Sequence, residues 1–562
     1  MSQLPLIVGY GGISAAGRSI FDLSHQRILF DSINTTNQNE VLESLGNLMG
    51  TRDRETILNK TLIRTIDDNF FNDHNYRSPA LPTLAGGQLP SGFNPAKTYN
   101  SRQHPRGLAM TVFGLSDAVI SLGVDWDEIL TKVPRQKISC ISGCAVAQAD
   151  KYGMGGMFQS SMAGSRVTSK HMAMSLGEGS ADFAHAYVLG SMGSTGSYTG
   201  ACATFQYNLK LGISMIQSGE SLISIVGAAE SGIVPEIYEA FSATKGLAED
   251  ENLIKLQERL GEDFDQPNHR KICRPFGDNI GMSLGESAQF VVLMADELAL
   301  ELGLNIHGAA LSSHIHADGY KKSISGPGAG NYLTVGKVFN EIHEHFGKEA
   351  MNKIFFHAHG TSTPQNRESE SHIISSMSKA FGIQSLPVTA IKSYLGHSLA
   401  AAGGDQMISS LGSWKNNLIP GIHSTPKLAD NVFTENVNFL LENLEFEDNK
   451  FDFAVLNAKG FGGNNGTALI ASPTKTMELL QTKYSAKELT KYCALKQNID
   501  EQLLENKQKI LQGEVISRYI FGENVIDGMN DFEVESHQIT NKLNNEKFNL
   551  KSTLPYKDFL KG

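Results

Sequence analysis

Apolar residues recur at helical spacing in Leu108, Val112, Leu115, Ala118 and Val119, and again in Phe205, Leu209, Ile213 and Ile216, as in a helix that buries one face. Short runs of β-branched and small residues separate such stretches. They open the chain at residues 5–9 and return at 137–142, 221–230, 289–294, 309–316, 354–357, 388–391, 453–456 and 467–471. Runs apolar on both faces suit strands covered on each side by helices. Strand and helix alternate, which predicts an α/β fold. The rhythm is similar in both halves of the chain, so a duplicated architecture is expected, although no residue-level repeat accompanies it.

Three stretches depart from this texture. The glycines of Gly9-Tyr10-Gly11-Gly12 predict a tight turn after the first strand; they fit neither Gly-x-Gly-x-x-Gly nor a P-loop, and imply no nucleotide. From about 28 to 105, Asn, Asp, Pro and Gly accumulate, as in a long insertion forming a cap or dimer contact. Beyond 474 the chain turns to Lys, Glu, Gln and Asn, with Leu489, Tyr492, Ile499 and Leu503 at amphipathic spacing and a stop at Gly513; this predicts a two-part helical extension. The expected divisions are 1–255, 256–473 and 474–562.

Composition narrows the chemistry. The 562 residues are 40% apolar and 19% charged, ordinary for a globular chain. No leader-like start and no long apolar span is evident, so a cytoplasmic protein is expected. A net charge of −11 argues against wrapping nucleic acid but leaves room for a local basic patch. Five cysteines form no disulfide framework. Cys140 and Cys144 lack a second ligand pair at zinc spacing, so neither metal nor cofactor is expected.

Cys202 is the candidate nucleophile. It follows the small-residue run 193–200 and precedes a helical stripe, a position where free N–H groups and the helix dipole favour thiolate. His359 follows an apolar strand, where open α/β sheets gather functional groups. His397 closes Lys392-Ser393-Tyr394-Leu395-Gly396-His397, again at a strand end.

Four motifs, Gly-Ala-Cys-Ala-Thr at 200–204, His-Gly-Thr-Ser-Thr-Pro at 359–364, Lys-Ser-x-x-Gly-His at 392–397 and Gly-Phe-Gly-Gly-Asn-Asn at 460–465, stand in the order and spacing of the β-ketoacyl synthases. From about residue 4 to 473 the chain resembles that family, most closely the elongating Cys-His-His kind. The resemblance implies a thiolase-like five-layer αβαβα sandwich of two related halves, usually a homodimer. It implies decarboxylating Claisen condensation of an acyl thioester, on CoA or acyl carrier protein, with malonyl-acyl carrier protein. Cys202 would take the acyl group, and His359 and His397, with pKa values near 6.5, would assist decarboxylation. Backbone N–H groups of Cys202 and Phe461 would hold the oxyanion. Lys392 would orient the histidines with Glu370 as acidic partner, and Thr361 and Thr363 would bond the pantetheine arm.

Arg367 in place of the usual Asp, Lys459 before Gly460 and a shortened 274–286 stretch depart from the family pattern and put its usual chain-length preference in question. With the insertion and extension, they resemble a divergent branch that includes FabY-like enzymes, implying the initiating acetoacetyl-forming step. A polyketide-type ketosynthase or a non-catalytic chain-length subunit of the same fold are the alternatives; the latter typically lacks the nucleophile.

Overall fold

The computed structural model describes residues 3–67, 81–323, 326–514 and 517–550. The part of the expected insertion at 68–80 and the end of the extension at 551–562 lie outside them. Two compact units are present, Met1–Tyr519 and Ile520–Gly562.

The first unit is built on one large mixed sheet. Its strands are β1 (Pro5–Ser14), β2 (Ile138–Gly143), β3 (Thr195–Gly196), β4 (Ile223–Ser231), β5 (Glu286–Ala295), β6 (Gly308–Ala317), β7 (Ile354–His357), β8 (Leu386–Thr389), β9 (Val437–Phe439), β10 (Phe453–Gly460) and β11 (Asn464–Ala471). The spatial order is β9-β8-β7-β10-β11-β6-β1-β5-β4-β2-β3, with Gly17–Arg18 folded back on β1. Starting from β1, the pairings run antiparallel to β5, antiparallel to β4, then parallel to β2 and β3. Starting from β6, they run antiparallel to β11, antiparallel to β10, then parallel to β7 and β8. The same pairing sequence occurs twice, which is the duplication that the rhythm of elements suggested. The two sets join where β1 pairs with β6, Leu6 opposite Ala309.

This pairing moves the expected boundary at 255. β5 lies between β1 and β4 and pairs with both along its length, so the first half runs to Ala295 and the second begins at Gly308.

Helices cover both faces. On one side, α2 (Arg106–Ile120) packs on β1 and β5, and α4 (Gly330–Phe346) on β6 and β11. On the other lie α3 (Thr204–Ser218), with Phe205, Leu209, Ile213 and Ile216 in one apolar cluster, and α6 (Ala402–Asn416), with Met407, Ile408 and Leu411 in the same cluster. Alternation along β1 shows the two faces: Leu6 and Val8 join the cluster under α2, Ile7 and Tyr10 the one under α3. Gly9, Gly11 and Gly12 belong to β1 rather than to a turn after it, because α2 crosses them in backbone contact. A side chain on Gly11 would run into the main chain of Asp117 and Ala118.

The insertion is more regular than its composition suggests. It carries α1 (Thr35–Met49), capped by the Asn34 side chain and ended by Gly50 at φ +69°, with Val41 and Leu45 packed on Phe30 and Ile57. The extension is helical only in part. α7 (Pro473–Lys483) and α8 (Ala486–Leu511) belong to the first unit, and α8 buries Tyr492 and Ile499 as its spacing predicts. The second unit is an antiparallel sheet of Phe532–Val534, Gln538–Asn541 and Glu546–Asn549. Its short alternating runs were hidden in a polar composition.

Candidate active site

Equivalent helices in the two halves present the key residues. Cys202 lies in a single helical turn, Ala201–Ala203, that leads into α3. Thr204 Oγ accepts the Gly200 N–H at 3.0 Å and donates to the Ala201 carbonyl at 2.7 Å. His397 lies just before α6. Its N–H donates to Ser283 O at 2.7 Å and its carbonyl accepts the Gly285 N–H at 3.0 Å, fixing it to the strand-like segment before β5. Leu399 N–H donates to His397 Nδ1 at 3.2 Å. With Nδ1 an acceptor, the ring proton sits on Nε2, which is therefore a donor.

His359 leaves the end of β7, and its main chain is clamped from two sides. Glu370, on α5 (Pro364–Ala380), accepts the N–H groups of His359 and Gly360 at 2.6 and 2.9 Å and the Asn457 amide at 2.7 Å. Lys392 Nζ donates to the His359 carbonyl at 2.6 Å. Lys392 and Glu370 thus position His359 through its backbone. The Thr363 side chain caps α5, Thr361 N–H bonds Asn366, and the two threonine hydroxyls lie 3.1 Å apart.

These segments converge on a cavity of about 310 Å³ whose walls include Cys202, His359, His397, Thr361, Thr363 and Phe461. The two imidazoles meet edge to face, with centroids 5.4 Å apart. The backbone N–H groups of Phe461 and of Cys202 itself both favour the thiolate form of Cys202, so two main-chain donors lie on the sulfur's side of the cavity. Non-glycine residues within three positions of each reactive group take left-handed backbone, Ala201 at φ 51°, Ser362 at 68° and Leu399 at 46°. Such conformations store strain at functional sites.

The reactive groups are buried in the cavity wall, and their titrations differ from the expectations. Burial lowers both histidines well below 6.5, helped by the Lys392 charge, so both are neutral at pH 7 rather than partly protonated. Burial pushes the Cys202 thiol up to about 12, against the pull of Lys392 and the N–H donors. The helix-end thiolate expected from sequence is thus a neutral thiol at rest: Cys202 is 6% exposed and shares an apolar cluster with Ile66, Tyr238, Leu247, Met282 and Leu284.

Arg367 donates to the Gly277 carbonyl at 2.9 Å and ties α5 to the shortened loop. Sequence reading did not find Asn457, which steadies Glu370. Its signal was a polar residue amid the apolar run of β10.

Among the described residues no helix is long and apolar enough to cross a membrane. Residues 129–299 match the β-ketoacyl synthase N-terminal domain and residues 307–425 the C-terminal domain. β-Ketoacyl-[acyl-carrier-protein] synthase FabY of Pseudomonas aeruginosa is 38% identical, over 96% of this chain and 97% of its own. The crystal structure of the noncanonical ketosynthase FabY from P. aeruginosa superposes with a TM-score of 0.94 at 36% identity, covering 100% of this chain and 99% of that one. 3-Oxoacyl-[acyl-carrier-protein] synthase 2 of Staphylococcus aureus is 28% identical over 49% of this chain and 63% of its own. A β-ketoacyl synthase from Burkholderia phymatum, at 19% identity and TM-score 0.63 over 84% of this chain and 99% of that one, shares the fold. The chain therefore belongs to the β-ketoacyl synthase family of acyltransferases and has its thiolase-like α/β fold.

Proposed function

We propose that the chain condenses an acyl thioester with malonyl-acyl carrier protein, releasing CO2 and forming a β-ketoacyl-acyl carrier protein in fatty acid synthesis. The convergence of Cys202, His359 and His397 on one desolvated cavity carries this reading. The Cys202 sulfur attacks the incoming thioester carbonyl, and its proton leaves on the departing pantetheine or CoA sulfur. The N–H groups of Cys202 and Phe461 meet the oxyanion, each such donor worth about 3 kcal/mol in a dry site. Neutral imidazoles then donate N–H bonds to the malonyl thioester oxygen as C2 loses CO2, and the carbanion attacks the acyl carbonyl on Cys202. Thr361 and Thr363, on the cavity wall, suit the amides of the pantetheine arm.

The primer we propose is acetyl-CoA. The nearly full burial of Ile66, Tyr238, Met282 and Leu284 around Cys202 leaves little depth for a longer chain, and full-length similarity to FabY fits an initiating enzyme. We further infer a homodimer, cytoplasmic location and a five-layer αβαβα arrangement, in which each half of the sheet forms one β layer, α3 and α6 lie between the two, and α2 and α4 lie outside.

The test is mass-spectrometric detection of acetoacetyl-carrier protein from acetyl-CoA and malonyl-carrier protein. Cys202→Ala should abolish product, and His359→Ala should suppress CO2 release from the malonyl thioester. Product formation by Cys202→Ala would overturn the assignment.

A further inference from the structure

Of the three lysines that line the cavity, Lys321 pairs with Asp318 and Lys245 is exposed, while Lys459 is half-buried and left unused by the roles above. Its side chain lines the same wall as Cys202, His359 and His397. Alternation along β10 turns Ala458 into an apolar cluster and Lys459 the opposite way. Among the described residues its one hydrogen bond is a long one, 3.4 Å from Nζ to Ser369 Oγ. The neighbouring carboxylates are engaged elsewhere. Glu370 holds two backbone N–H groups and Asn457, while Asp318 accepts from Gly330 N–H, Asn465 and Lys321. Burial of the ammonium also lowers its pKa. A half-buried ammonium whose neighbouring carboxylates, Glu370 and Asp318, are already bonded elsewhere can still pair with an anion that a ligand brings.

Condensation brings one such anion beside the histidines, the free carboxylate of the malonyl unit. We propose that Lys459 selects the malonyl thioester by pairing with that carboxylate, an inference that rests on the condensation reading above. In the reaction the bond between C2 and the carboxylate carbon breaks. Its electron pair moves into the enolate, whose oxygen accepts the imidazole N–H bonds, and CO2 leaves. The enolate carbon then attacks the acyl carbonyl, and Sγ departs as thiolate. Lys459 exchanges no proton. Its partner loses charge as CO2 forms, so the ion pair strengthens ground-state binding more than the transition state and shows in KM rather than kcat.

The experiment is steady-state kinetics with malonyl-carrier protein varied at saturating acetyl-CoA. Lys459→Met should raise the malonyl KM at least tenfold, with kcat unchanged or higher and the acetyl-CoA KM moving less than threefold. Lys459→Arg should restore most of the difference, and it also serves if the methionine variant folds poorly. A malonyl KM within twofold of wild type, or both KM values rising together, would overturn the proposal. Calorimetry with amide analogues of malonyl- and acetyl-carrier protein reads the pair without turnover: wild type should prefer the malonyl analogue about tenfold and Lys459→Met should not. That preference in a protein that makes no condensation product would sustain Lys459 and sink the reaction; its absence in an active enzyme would do the reverse.

Discussion

Gly460 is where the two halves of the site touch, and alanine there tests how closely. A Cβ on Gly460 would penetrate the Gly200 carbonyl oxygen and stand 3.0 Å from the Cys202 nitrogen and 3.1 Å from the Ala201 Cβ. All three atoms belong to the turn that holds Cys202, so no flexible side-chain end can swing aside. Restoring ordinary contact takes a separation of about 1 Å, which would pull the Phe461 N–H away from the Cys202 N–H with which it is proposed to hold the oxyanion. A misplacement of that size costs about 100-fold in rate, and outright loss of one oxyanion donor about 100- to 1,000-fold. Overpacking costs about 1–3 kcal/mol of stability as well. Gly460→Ala should therefore lower kcat for acetoacetyl-carrier protein by about 100-fold or more while remaining folded, with Cys202 still open to iodoacetamide. The assay is product formation alongside denaturant unfolding. A wild-type kcat in a folded variant would refute the contact and the oxyanion geometry built on it.

Two titrations check the burial of the reactive groups. With the Cys202 thiol pushed up to about 12 by burial, its alkylation by iodoacetamide, read by peptide mapping, should rise about tenfold per pH unit through pH 9; a plateau beginning near pH 7 would restore the helix-end thiolate. The histidines, held well below 6.5 by burial and the Lys392 charge, each keep one N–H donor while neutral and change charge only when the pH falls below that range. CO2 release from malonyl-carrier protein should thus stay flat from pH 8 to below 6.5, and a limb centred on 6.5 would show the imidazoles to be solvated.

The strands and the helices carrying the catalytic residues were legible because their apolar spacing is fixed by burial on two faces. α2 and α3 fall where Leu108–Val119 and Phe205–Ile216 place them. The join between halves was not legible: β5 reads like any buried strand, and only its pairing with β1 assigns it to the first half. The three strands beyond Tyr519 escaped because their polar residues carry no apolar period long enough to register. At the site, motif order brought Cys202, His359 and His397 together, but charge state did not follow. A helix end argues for thiolate and an isolated imidazole for 6.5, whereas both groups answer to desolvation, which depends on neighbours as distant in sequence as Ile66 and Met282. Lys459 registered as an odd residue before a glycine motif, and its meaning needed the cavity.

The doubled pairing pattern bears on ancestry and on engineering alike. Sulfur comes from one repeat and both imidazoles from the other, so the reaction centre is an internal interface, as two copies of a simpler unit would form on meeting face to face. Neither repeat holds a fraction of the chemistry by itself. The pairing of β1 with β6 is one of the contacts that join the repeat holding the sulfur to the repeat holding the imidazoles.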